Sequence, residues 1–147
     1  MDSSLQVQPI TILLVEDNPG DVRLIKEVFK DEKVMNTLIV AKDGIEALAI
    51  LKDPSKVIPD LILLDLNLPR KKGLVVLGEI KNDPSLKRIP VVVLTTSSAE
   101  EDILKSYNSY ASAYLTKPVE LDEFIAVIQK LESFWLSVVK YPSKDTP

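Results

Sequence analysis

Glu16-Asp17, Asp65, Thr95-Thr96 and Lys117 each close or follow a short apolar run, and together they carry three carboxylates, two hydroxyls and an ammonium group. The chain contains neither histidine nor cysteine. Chemistry that needs an imidazole base, a thiolate or a disulfide framework is therefore excluded, as is a role as a phosphohistidine carrier. Three carboxylates gathered in one pocket cannot all stay ionised without compensation, and a hard divalent cation with oxygen ligands is the natural compensator. Mg²⁺ suits such a pocket because it accepts one or two carboxylates, a backbone carbonyl and several waters. Taken singly, each acid is better read as a cap of the helix that follows it. It is the arrival of all these groups at successive strand ends that favours a site over a set of caps.

The elements that must position these residues are legible as alternating patterns. Apolar, largely β-branched runs at 10–15, 38–41, 61–64 and 91–94, with a weaker one at 113–115, read as buried parallel strands. Segments of helical period lie between and after them, at 21–29, 45–51, 74–80, 100–107 and 121–139. Five βα units in a row predict an α/β fold: a flavodoxin-like, doubly wound, five-stranded parallel sheet of order 2-1-3-4-5 with helices on both faces. In that order the first and third strands are neighbours roughly 4.8 Å apart, which would set Asp17 beside Asp65. Ligands of such sheets bind at the carboxyl ends of the strands, where the polar residues above are found.

Bulk properties bound the rest. With 147 residues, one domain is expected, over 10–140, with tails at 1–9 and 141–147. The formal net charge of -4 gives no general attraction to nucleic acid or anionic lipid, so neither is an expected partner. An acid and two serines stand where a signal peptide would carry basic residues, and no apolar run approaches the roughly 18 residues of a membrane span. A cytoplasmic location is expected.

Four strings in register, Val15-Glu16-Asp17-Asn18, Leu64-Asp65-Leu66-Asn67-Leu68-Pro69 with Gly73, Val93-Leu94-Thr95-Thr96, and Tyr114-Leu115-Thr116-Lys117-Pro118, resemble the receiver domains of two-component response regulators. Longer strings, 61–69, 88–97 and Glu132-Ser133-Phe134-Trp135-Leu136, resemble more particularly the small single-domain regulators paired with cyanobacterial phytochromes. The resemblance implies that Glu16 and Asp17 bind Mg²⁺ and that Asp65 is phosphorylated. It implies too that the Asn67 carbonyl completes the metal site, and that Thr95 and Lys117 contact the phosphoryl oxygens. Its donor would be a sensor histidine kinase, phytochrome-like in the narrower match, and the chain would be a phosphoryl acceptor rather than an enzyme with its own substrate. Thr95 would swing toward the phosphate and Tyr114 would turn into the space it leaves; Tyr114 reads equally as a half-buried strand aromatic. The loop departs from many receivers in placing Arg70-Lys71-Lys72, rather than an acid, before Gly73. This basic run reads as a solvated loop, with guidance of an acidic partner as the alternative.

The last predicted helix has an apolar stripe, Leu121, Phe124, Ile125, Ile128, Leu131 and Trp135, widened by Val127, Phe134 and Val138. Either a long helix covers extra core, or a homodimer forms through Val127, Phe134 and Val138; the second is preferred, and sedimentation separates the two. With few residues after this helix, signalling is expected to run through docking on other proteins. Three rivals remain. A haloacid-dehalogenase-type phosphatase needs an acid where Asn67 stands. A flavin-binding fold needs bare N–H groups where Asp17-Asn18-Pro19-Gly20 offers a carboxylate. An interaction module that is never phosphorylated would not need the acid, hydroxyl and lysine set.

Overall fold

The computed structural model describes residues 10–30, 36–95, 110–117, 120, 122, 123 and 126. Five strands, β1 (Ile10–Val15), β2 (Asn36–Ala41), β3 (Leu61–Asp65), β4 (Val91–Thr95) and β5 (Ala113–Thr116), form one parallel sheet of order β2-β1-β3-β4-β5. Among the described residues three complete helices are interleaved, α1 (Pro19–Phe29), α2 (Gly44–Lys52) and α3 (Gly73–Asn82). The predicted fold class and strand order are those observed. The predicted helix at 100–107 lies outside the described residues; of the one at 121–139 only 122, 123 and 126 are described, all helical, and Val127, Phe134 and Val138 lie outside them.

Why the runs become strands is visible in their burial. Successive side chains of a strand point to opposite faces, so a run apolar at every position suits a sheet covered on both sides. Leu13, Val15, Ile62, Leu64, Val91 and Val93 pack on one face with Ala47, Leu48 and Leu51 of α2 and Val76, Leu77 and Ile80 of α3. Their alternates Ile12, Leu14, Leu61, Leu63, Val92 and Leu94 pack on the other with Ile25 and Phe29 of α1. Each such leucine or isoleucine gains about 1.5–3 kcal/mol relative to exposure. A register slip would exchange the two faces wholesale.

The helix starts are set by their first residues. Asn18 caps α1, its Oδ1 accepting the Asp21 amide at 3.0 Å, and Pro19 follows at a position where a missing N–H costs nothing. The cap is thus Asn18, which leaves Glu16 and Asp17 free of that duty. Asp43 caps α2, accepting the Glu46 amide at 2.8 Å, while Glu46 reaches back to the Lys42 amide at 2.7 Å. α3 has no side-chain cap. Its first residue, Gly73, instead donates its amide to the Leu66 carbonyl at 3.1 Å.

Candidate metal and phosphoryl site

The strand register assembles the acids. Val15 is level with Leu64, so the residues that follow, Glu16 and Asp65, leave the sheet side by side. The sequence reading put Asp17 in that place. Register moves Asp17 one position outward, where it is exposed, while Glu16 is 1% and Asp65 4% exposed. One carboxylate oxygen from each of Glu16, Asp17 and Asp65 nevertheless lies within 4.8 Å of the others. Such a set of hard oxygen donors, two of them buried, fits a divalent cation.

Asp65 ends β3, at the centre of the sheet and level with Leu94 of β4. Its Oδ1 accepts the Asn67 amide at 3.1 Å, which curls the chain beyond the strand back over the carboxylate. Close packing sustains that curl. A Cβ on Gly73 would lie 2.3 Å from the Asp65 carbonyl oxygen, so only glycine lets α3 begin there.

Lys117 follows β5 and crosses the mouth of the sheet with its side chain 8% exposed. Its ammonium donates to Glu16 Oε1, to Asp21 Oδ2 at 3.0 Å and to Asp65 Oδ2 at 3.3 Å. An ammonium has three N–H bonds, and three carboxylates use them. Burial by itself would lower the lysine's affinity for its proton. The bonds to Glu16 and Asp21 and the nearby charges of Asp65 and Glu16 outweigh it, so its pKa is raised. Glu16 is also raised, from 4.5 to about 7. Burial is the main cause and the Asp65 charge adds to it, against the lowering bonds from Lys117 and the Asn18 amide. Four carboxylates facing one ammonium leave a pocket that still seeks positive charge.

Sequence reasoning missed Asp21. It had been read only as the start of a helix, and its contact with Lys117 spans 96 positions, a separation that no local pattern reveals. Arg70 and Lys72 are exposed, as the reading of a solvated run expected, but Arg70 and Lys71 also have acidic partners within the chain. Arg70 pairs with Asp43 at 2.9 Å and Lys71 with Glu79 at 2.7 Å. Thr95 closes β4 opposite Thr116, one position beyond the level of Asp65. Tyr114 lies on β5, half-buried against the core face that carries α2 and α3.

Comparison with known proteins gives the same picture from outside. The family described as "Response regulator receiver domain" matches residues 12–129. Response regulator Rcp1 of Synechocystis sp. is 48% identical over 139 residues, covering 92% of this chain and 95% of that protein. The crystal structure of its Mn²⁺-bound form superposes with a TM-score of 0.73, covering 90% of this chain and 98% of that one. The phosphorylated cyanobacterial phytochrome response regulator RcpA is 47% identical with a TM-score of 0.74, over 88% of this chain and 96% of that one. At 27% identity and a TM-score of 0.71, the receiver domain of sensor histidine kinase PA1611 from Pseudomonas aeruginosa was crystallised with magnesium in its active-site cleft. It aligns with 84% of this chain and 97% of its own length.

Proposed function

The chain belongs to the response regulator receiver domain family, and from that premise we propose that it is a phosphorylation switch whose acceptor is Asp65. The observation that carries the reading is the setting of Asp65: a nearly buried carboxylate at the centre of the sheet, within reach of Lys117 and beside Glu16 and Asp17. An Asp65 oxygen attacks the phosphorus of a phosphohistidine on a partner kinase. The P–N bond breaks, its electron pair stays on the imidazole nitrogen, and an acyl phosphate forms.

The residues of this chain supply position and charge rather than covalent help. Asn67 donates its amide to Oδ1 and so orients the carboxylate, leaving the second oxygen toward Lys117. Lys117 turns from the carboxylates to the incoming phosphoryl oxygens, and the Thr95 hydroxyl joins it there. Glu16, Asp17, Asp65 and the Asn67 carbonyl would hold Mg²⁺. When bound, Mg²⁺ supplies countercharge to the transferring group. Few protein donors, all hard oxygens, with room for waters beside exposed Asp17, suit Mg²⁺; Mn²⁺, the ion in the Rcp1 crystal, shares these ligand preferences. The PA1611 receiver supports Mg²⁺.

In this reading the protein turns over no substrate of its own; it is a cytoplasmic signalling partner of a sensor histidine kinase. The likeness to Rcp1 and RcpA supports a phytochrome-type kinase as that partner. The switch output passes from Thr95 to Tyr114 on the neighbouring strand. Asp65→Asn keeps shape and volume but removes the nucleophile, so labelling by acetyl phosphate in MgCl₂, followed by intact mass, should fall to background. A retained mass increment in that variant would overturn the assignment.

A further inference from the structure

Arg70 has φ of 66°, in the left-handed region that side-chain-bearing residues avoid. A residue held there is retained where its surroundings over-determine it. The surroundings of Arg70 are specific. Its guanidinium pairs with Asp43 Oδ2 at 2.9 Å, and Asp43 is at the same time the cap of α2. The Lys71 carbonyl next to it presses on the first residue of that helix: a Cβ on Gly44 would lie 2.8 Å from that oxygen and 2.5 Å from Val76 Cγ2. Lys71 also donates its amide to Pro69 O at 2.7 Å and its ammonium to Glu79 at 2.7 Å. The 66–72 loop is thus fastened to the start of α2 on one side and to α3 on the other.

Three residues before Arg70 in the same loop stands Asn67, whose amide holds Asp65 Oδ1. From this we propose that Asp43 and Arg70 are positioning residues: their ion pair clamps the 66–72 loop against α2 and thereby fixes Asn67 over the metal-facing carboxylate of Asp65. Neither side chain touches the acidic cluster. They act through the loop, and the reading rests on the metal site proposed above. Arg70, the first residue of the basic run before Gly73, then has a use inside the molecule: it anchors the loop to the acid that caps the adjoining helix.

The test is calorimetric titration of the full chain with MgCl₂, with thermal melting of the same samples. Asp43→Ser keeps a helix cap but loses the ion pair, and Arg70→Gly loses the ion pair while suiting the left-handed backbone. Each should weaken Mg²⁺ binding by roughly two- to fivefold, the most that a half-exposed ion pair acting through the loop can transmit. The double variant should be no weaker than either single one, since all three lack the same pair. In Arg70→Gly the melting temperature should hold while affinity drops, a split that a merely structural residue would not give. Wild-type affinity in both single variants, or additive losses in the double, would overturn this inference alone. Failure of the unaltered chain to bind Mg²⁺ would overturn the metal reading and this inference with it.

Discussion

The two ends of the sheet treat charge in opposite ways. At the amino ends of the strands, charged groups are matched to backbone. Asp60 accepts the Thr11 amide at 2.8 Å while its own amide donates to the Thr11 carbonyl at 2.7 Å. Lys81 donates to the carbonyls of Lys87 at 3.0 Å and Ile89 at 2.7 Å, closing the turn that leads into β4. Its burial lowers the lysine's pKa, and the carbonyl dipoles are what hold it there. At the carboxyl ends, charge is matched to charge and the match is incomplete: Lys117 serves Glu16, Asp21 and Asp65 at once, with Asp17 alongside. One end is built to be satisfied within the chain. The other is built to be completed by something that arrives.

The contrast is tested most severely at Lys117. Lys117→Ala removes the ammonium that offsets the acids, and loss of one partner from a buried pair costs about 3–5 kcal/mol. Chemical denaturation in EDTA should show a loss of about 3 kcal/mol, part of it recovered in excess MgCl₂. Labelling by acetyl phosphate should slow by roughly 10²-fold, as when a donor to a developing anion is removed. Unchanged stability in EDTA would mean that the acids do not depend on this ammonium.

Lys81→Met is the matching change at the other end. It leaves the two carbonyls without their charged donor and should cost about 1–2 kcal/mol in denaturation, with Mg²⁺ affinity unaltered. A fall in metal affinity would show that the two ends are not separable.

An effect of comparable size is expected from pH. Glu16, raised to about 7 in the folded chain, holds a proton between pH 4.5 and 7 that the unfolded chain has shed. Its contribution to stability is therefore full below pH 4.5 and is lost as pH rises through about 7. A metal ion must displace that proton. Mg²⁺ affinity should rise by about tenfold per pH unit between roughly pH 5.5 and 6.5 and level off above 7. A flat profile in buffered titrations would mean that Glu16 is already ionised throughout.

Much of the carboxyl end was legible before the structure, because strand ends are read from where apolar runs stop, and Glu16, Asp65, Thr95 and Lys117 all stand at such stops. Unbroken βα alternation implied a parallel sheet covered on both faces, and the order 2-1-3-4-5 came with the flavodoxin-like reading of it. Pairings between distant loops were harder to read. Whether Glu16 or Asp17 stands beside Asp65 depends on a one-residue register that two uniformly apolar strands do not encode. The third carboxylate on Lys117 comes from Asp21, a helix residue whose side chain reaches back into the site. Nothing in the sequence tied Arg70 to Asp43, because that partner lies in another loop. Composition alone thus identified the kinds of groups, while tertiary separation hid their partners.

The strand order distributes the site over regions of unequal persistence. β3, with neighbours on both sides and all five residues buried, is placed to open last, whereas among the described residues β5 is bonded along one side only, to β4. Amide exchange in such sheets is slowest at the centre and faster toward the margin. The acceptor and the acids are thus carried on the inner strands, and the counterion on the margin. A brief detachment of the margin would withdraw the ammonium while leaving the acidic cluster assembled, so the site has a route to change its charge without dismantling its frame.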